Sequence, residues 1–285
     1  MAMKIVSHGL DSIELSDKTF YKFSKLIYAQ AGIVLGDAKK QLVKSRLIKR
    51  IRTLGLESFD EYFKYIEKSN FSGEEMILML DAISTNKTHF FREESHFNFL
   101  TSNVLPDIVA KHPTKYAIKV WSAACSTGEE VYTLGIVLSE FLKNNSNYTF
   151  NFLATDISTK VLQKAELGVY PSENVVGISK NLLRTYFQKG QNNFADKFRV
   201  KESLRKITTF KRLNFMDADW GIRDSFDIIF CRNAMIYFDK PTQKTLVGRF
   251  HQYLKPGGYL FIGHSESLLD SRHLFKYIQP TVYQK

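Results

Sequence analysis

The stretch from Ile118 to Tyr132, IKVWSAACSTGEEVY, constrains the fold more than any other part of the chain. Apolar residues over Ile118–Ala123 predict a strand, and the small residues Ala124 to Gly128 predict a turn. An amphipathic run opening at Glu129-Glu130 predicts a helix reaching Leu142. Small side chains let a ligand approach the backbone, and a helix start offers unpaired N–H groups. A second apolar run, FNFLATDIS, carries Asp156 where a nucleotide-binding α/β unit places its ribose-binding acid. Together the two segments point to a nucleoside cofactor.

The turn narrows the choice. A dinucleotide site needs several glycines, because a pyrophosphate sits directly on the helix start. Here Gly128 is the only glycine of the loop, and two acids open the helix. Glu129 and Glu130 repel a pyrophosphate but suit a ligand with cationic and hydroxyl groups, such as S-adenosyl-L-methionine. Read blandly, the same acids complement the helix dipole, and Asp156 is a helix N-cap or Asx-turn residue before Ser158-Thr159-Lys160.

Around this unit the rhythm is strand alternating with helix. Strands are expected at Ile118–Ala123, Phe150–Ala154, Ile207–Arg212, Asp227–Cys231 and Tyr259–Gly263, and helices at Glu129–Leu142, Lys160–Leu167 and Thr242–Leu254. The last helix is expected to close at Lys255-Pro256-Gly257-Gly258. Such alternation implies a mostly parallel sheet covered on both faces, and FKYIQPTVYQK reads as a closing antiparallel hairpin. Residues 188–206 break the alternation and read as an inserted antiparallel β subdomain.

Residues 16–88 read as a helical domain, preceded by a flexible arm over 1–15 and followed by a linker and connecting helix over 89–117. Phe20, Phe23, Leu26 and Ile27 recur at helical spacing behind a Ser16-Asp17 cap. Next, Leu42, Val43, Leu47, Ile51 and Leu54 form an apolar stripe. The other faces of that helix carry Lys39, Lys40, Lys44, Arg46, Lys49, Arg50 and Arg52, with no acid among them. Further helices are expected at Phe59–Lys68 and Glu74–Ile83.

The chain's 285 residues and 44% hydrophobic content suffice for a buried core. The sequence has no apolar run of membrane-spanning length and no signal-peptide pattern, so a cytoplasmic chain without membrane insertion is expected. Cys125 and Cys231 read as reduced buried thiols, and two thiols make no metal site. The net charge is +11, yet residues 1–100 carry 15 Lys+Arg against 13 Asp+Glu, so most of the excess lies after residue 100. That charge suits an anionic partner without choosing one.

Two further tracts put polar residues where a core would not want them. FDIIFCRNAMIYF places Arg232, Asn233 and Tyr237 just past a core strand. It lacks the Asn/Asp-Pro-Pro-aromatic pattern of amino-methylating nucleic-acid enzymes. STNKTHFFREES sets Asn86, Thr88 and Arg92 between the helical block and the α/β part. By themselves these tracts read as loop polarity and a capped helix start.

Five tracts in order, TNKTHFFRE, VWSAACSTGEEVYTL, ATDIS, FDIIFCRNAMIYFDK and LKPGGYLFIGHSES, resemble the chemotaxis receptor methyltransferase family (CheR type), which esterifies glutamates on chemoreceptors. Val131 departs from the family's usual proline and Phe215 from its usual leucine. The resemblance spans about residues 17–285. It implies an α/β fold: an all-α N-terminal domain, then a Rossmann-like methyltransferase domain whose mostly parallel sheet ends in an antiparallel hairpin and carries a small β subdomain. It further implies S-adenosyl-L-methionine contacts at Asn86, Thr88, Arg92, Glu130, Asp156, Asn214, Phe215, Arg232 and Asn233, with S-adenosyl-L-homocysteine as product. Arg92 and Tyr237 become the catalytic pair, Arg92 facing the substrate carboxylate. The basic helix resembles the face that binds the cytoplasmic domain of chemoreceptors, and the β subdomain resembles a module gripping a receptor C-terminal peptide in some members. The expected enzyme is monomeric, without nucleic acid as partner. Competing readings are an RNA methyltransferase, with the basic helix on phosphates, and a cofactor-binding adaptor without turnover.

Overall fold

The computed structural model describes residues 13–68, 73–143, 145–268 and 273–285. Most of the expected N-terminal arm therefore lies outside the described residues. The chain divides into two compact units, one ending at Ser84 and the other beginning at Thr85, four residues before the boundary expected from sequence.

The first unit is helical: α1 (Asp17–Ala31), α2 (Lys40–Thr53), α3 (Phe59–Glu67) and α4 (Glu74–Ile83). Its ends follow from local chemistry. Ser16 Oγ accepts from Thr19 N to start α1, Ser58 Oγ accepts from Glu61 N to start α3, and Gly32, at φ 70°, ends α1 with its N–H on Tyr28 O. Phe23, Ile27, Val43, Leu47, Ile51, Phe59 and Tyr62 are almost wholly buried, and the Phe23 ring packs against Phe59, Tyr62 and Phe63. Leu42 and Leu54, expected on the α2 stripe, are only half-buried, because the buried row runs through Val43, Leu47 and Ile51 at spacings of four.

The second unit opens with α5 (Glu94–Phe99) and α6 (Leu105–Lys111). It continues β1 (Tyr116–Ala123), α7 (Glu129–Leu142), β2 (Tyr148–Asp156), α8 (Thr159–Leu167), β3 (Val169–Pro171), α9 (Lys180–Tyr186), β4 (Phe187–Lys189), β5 (Lys197–Val200) and α10 (Glu202–Arg205). Then come β6 (Thr208–Arg212), β7 (Phe226–Cys231), α11 (Lys240–Tyr253), β8 (Leu254–Ile262), β9 (Lys276–Gln279) and β10 (Val282–Gln284). Seven strands form one sheet in the order β6-β2-β1-β7-β8-β10-β9. The five strands from β6 to β8 pair in parallel, and β10 runs antiparallel to both neighbours. Strand order reverses between β1 and β7, so a crevice opens at their carboxyl ends, where such sheets bind ligands.

Alternation along the central strands supplies two cores. Val120, Ile228, Phe230 and Phe261 face one, while Trp121, Ile229, Cys231, Leu260 and Ile262 face the other. Asp227, buried in β7, is held by Tyr116 Oη, the Lys119 amide and Lys255 Nζ.

Two expectations meet a different geometry. The helix before Lys255 ends at Tyr253, and residues 255–258 belong to β8 rather than to a closing loop. The separate antiparallel sheet, ordered β3-β5-β4, draws its strands from residues 169–200 rather than 188–206, and Glu202–Arg205 is helical. Strands of three or four residues are too short to show a periodicity.

Candidate active site

The turn after β1 is built from residues in the left-handed region: Ala124 at φ 66°, Ser126 at 50° and Gly128 at 94°. A Cβ on Gly128 would come within 2.9 Å of Ala165 Cβ, so this glycine is required by packing on α8 more than by ligand approach. The Ser126 amide donates to Asp156 Oδ2 across 2.9 Å, and the Ser158 amide donates to Asp156 Oδ1. The bland Asx-turn reading of Asp156 and its placement at the crevice thus hold together: one buried carboxylate organises both loops.

Ser126 Oγ reaches Asn86 O at 2.9 Å, and the Phe91 amide reaches Thr133 Oγ1 at 3.2 Å, fixing residues 86–91 beside α7. Phe91 and Glu93 are themselves left-handed, at φ 56° and 58°. Arg92 is half-buried, its Nη1 donating to Lys87 O. Thr88 is half-buried on the same segment.

At the crevice floor Glu130 Oε1 accepts from Ser122 Oγ and Oε2 accepts from Arg232 Nε, both at 2.7 Å. Arg232 Nη1 donates to Arg92 O at 2.7 Å and faces Glu93 Oε2 and His96 Nδ1. The Arg232 side chain is 2% exposed, so both of these expected cofactor contacts serve first as a buried ion pair. Glu93 Oε1 accepts from Asn233 Nδ2, and Glu266 takes the Asn233 amide. Two hydrogen-bonded networks result: one joins Asn86, Ser126 and Asp156, and the other joins Arg92, Glu130, Arg232, Glu93 and Asn233. Beyond them, Asn214 is buried with Oδ1 on the Met216 amide, one residue past the Leu213 N–H that donates to Asp156 O. Phe215 packs with Trp220, Phe238 and Phe250, and Tyr237 is half-buried in the short turn Met235–Tyr237.

Residues 18–84 match the all-alpha domain of CheR methyltransferases, and residues 86–284 match their SAM binding domain. This chain belongs to the CheR methyltransferase family. It is 41% identical over 277 residues to a chemotaxis protein methyltransferase of Borreliella burgdorferi, with 96% of each chain covered. It is 40% identical over 275 residues to chemotaxis protein methyltransferase 2 of Pseudomonas aeruginosa, covering 96% of this chain and 95% of that one. The chemotaxis protein methyltransferase of Escherichia coli is 38% identical over 273 residues, covering 96% and 92%. As a CheR methyltransferase the chain is an enzyme whose methyl donor is S-adenosyl-L-methionine.

The crevice is lined by acids, which suits a donor carrying hydroxyl and cationic groups: Asp156 ends β2, Glu93 and Glu130 stand at the crevice floor against Arg232, and Glu129 opens α7. Glu129, buried with Oε2 on Thr127 Oγ1, has its pKa raised by burial. Burial also pushes both thiols up, so Cys125 and Cys231, both free, hold no reactive thiolate. Glu93, His96 and His264 bring ligand atoms within 4.8 Å of one another, but Arg232 faces two of them, which is no setting for a metal cation.

Sequence reasoning passed over Glu93, His96, Ser126 and Glu266. Burial opposes ionisation of Glu93, but the Asn233 hydrogen bond and Arg232 outweigh it and hold the carboxyl below its usual range. Burial, then Arg232, pushes His96 down to about 4. An arginine only donates, so His96 Nδ1 must accept; the proton sits on Nε2 and is given to Thr281 Oγ1, which donates to Pro280 O. FFRE and GHSES lay within quoted tracts, but nothing in their spacing marks Glu93 or Glu266 as partners of Asn233, residues far away in sequence.

In the helical unit the seven cations from Lys39 to Arg52 divide. Arg50 pairs with Glu75 through Nε and Nη2, at 3.0 and 2.6 Å, and Arg46 donates to Ile83 O and Ser84 O. Lys40 and Lys44 reach Asp17 and Glu14. Lys49 and Arg52 are exposed, as is Lys39 just before the helix.

Proposed function

We propose that this enzyme transfers the S-adenosyl-L-methionine methyl group to glutamate side chains in the cytoplasmic domains of chemoreceptors, leaving glutamate methyl esters and S-adenosyl-L-homocysteine. The observation that carries the reading is a half-exposed arginine, Arg92, anchored through its backbone to the buried Arg232 at the crevice floor. A cation held there on a fixed backbone is what an incoming carboxylate needs for alignment.

A glutamate carboxylate is already ionised at neutral pH, so attack on the methyl carbon needs no general base. Asp156 would hold the ribose hydroxyls, Asn214 and Phe215 the adenine, and Asn86, Thr88, Glu130 and Asn233 the remaining polar edges of the donor. Arg92 would orient the carboxylate, and Tyr237 would shape the transfer site. Bringing two reactants into line can supply roughly 7–11 kcal/mol of the barrier.

Of these cations, Lys39, Lys40, Lys44, Lys49 and Arg52 would meet an acidic receptor surface, whereas Arg46 and Arg50 serve chiefly to hold the helical unit. The β3-β5-β4 sheet would receive a receptor C-terminal peptide. We expect a cytoplasmic monomer; among the described residues no helix is long and apolar enough to cross a membrane.

The test is incubation with methyl-labelled donor and either receptor cytoplasmic fragments or RNA. Base-labile label on receptor glutamates is the expected result. Label on RNA, or donor binding with no transfer to either, would overturn the proposal.

A further inference from the structure

Glu266 lies four residues past the end of β8 and is only 9% exposed. Its carboxylate accepts four backbone N–H groups. Oε2 takes Gly263 at 2.6 Å and Asn233 at 3.0 Å, while Oε1 takes Met235 at 2.7 Å and Ile236 at 3.3 Å. The ladder between β7 and β8 ends at the pair Cys231–Ile262. Beyond it the carboxylate takes over the donors that the ladder would have used. It also receives the first N–H groups of the turn Met235–Tyr237, which have no partner within so short a helix.

The residues so held belong to the crevice. Asn233 is left-handed at φ 59°, with its amide on Glu266 and its side chain on Glu93. We propose that Glu266 is a positioning residue for methyl transfer, acting through Asn233 and the turn bearing Tyr237. This rests on the reading above, in which Asn233 contacts the donor. Gly263 offers an independent route to the same point: a Cβ there would lie 2.5 Å from Asn233 Nδ2, 2.8 Å from Asn233 N and 2.9 Å from Glu266 Oε2.

Glu266→Gln keeps the side chain's volume but turns an NH2 group against two N–H donors, opening half the cradle. The test uses the full chain, with calorimetry for S-adenosyl-L-homocysteine and kinetics on receptor fragments. Glu266→Gln, Gly263→Ala and Asn233→Ala are each expected to weaken product binding by about tenfold or more. The per-chain binding stoichiometry and the KM for receptor should stay near wild type, a split that general loss of fold would not give. The double variant Glu266→Gln/Asn233→Ala should bind within roughly twofold of the weaker single one, since both remove the same contact. Affinity kept in Glu266→Gln but lost in Asn233→Ala overturns the positioning role alone. A multiplicative loss in the double variant does the same. Wild-type affinity in Asn233→Ala overturns the donor assignment itself, and the inference with it. Should Glu266→Gln fail to fold, Gly263→Ala decides the matter: unchanged affinity there overturns the proposal.

Discussion

Arg92 presents its guanidinium half-exposed while its own carbonyl is held from below by Arg232. Arg92→Ala should lower kcat by about a hundredfold, because the carboxylate loses its alignment, while the fold is kept. Full turnover in a variant that binds donor normally would remove the assigned role. His96 gives a pH signature. Its folded pKa is near 4 against an ordinary 6.5, so the unfolded chain takes up a proton over this window and the folded one does not. Stability on this account is full above about pH 6.5, declines as pH falls towards 4, and then levels off. Melting temperatures across that range should show the decline in wild type and a weaker one in His96→Gln. At this scale the sequence revealed residue types at strand ends but not their partners. Asp156 was legible because one strand and one turn suffice to place it. Glu93 and Glu266 were not, because their meaning lies in Asn233, reached only after the sheet has closed.

Elements were legible where periodicity had length to work with. Glu129–Leu142 and Glu74–Ile83 are helices over the very ranges their patterns predict. Five core strands fall where apolar runs put them, with ends moved by a few residues. The strands of the second sheet were placed partly elsewhere, since Val169–Pro171 follows a helix directly and is too short to alternate. Joints between elements are set by single small residues. Gly128 is one of these, left-handed and with Ala165 Cα 3.1 Å from where its Cβ would stand. Gly128→Ala should cost roughly 1–3 kcal/mol, from backbone strain and overpacking together, and denaturant unfolding measures it. A midpoint equal to wild type would show that α8 yields more easily than its packing suggests.

For the whole molecule, charge and stability are separable on one helix. Lys39 and Lys49 are exposed, whereas Arg50 meets Glu75, which also accepts from Tyr62 Oη. Charge reversal at Lys39 and Lys49 should slow receptor methylation about tenfold at low salt, with a shrinking effect as salt rises and no change in donor affinity. Arg50→Ala should instead lower the stability of the helical unit. If reversal leaves receptor kinetics untouched at every ionic strength, the receptor docks elsewhere. The helical composition of this unit was legible from sequence, but not which of its cations were already committed. The acids that hold them lie outside α2: Glu75 on α4, Asp17 on α1 and Glu14 before it.

The rim of the crevice has one further property. Phe91, Glu93, Ala124, Ser126 and Asn233 all sit in a backbone region that side chains avoid, at about 1–2 kcal/mol each. Asp156 accepts from the Ser126 amide, Glu93 and Glu266 accept from Asn233, and Thr133 Oγ1 accepts from the Phe91 amide, which holds Ser126, Asn233 and Phe91 in place. A chain free to relax would be sturdier and would lose its aim, so thermal hardiness and catalytic competence in this enzyme pull in opposite directions at the same few positions.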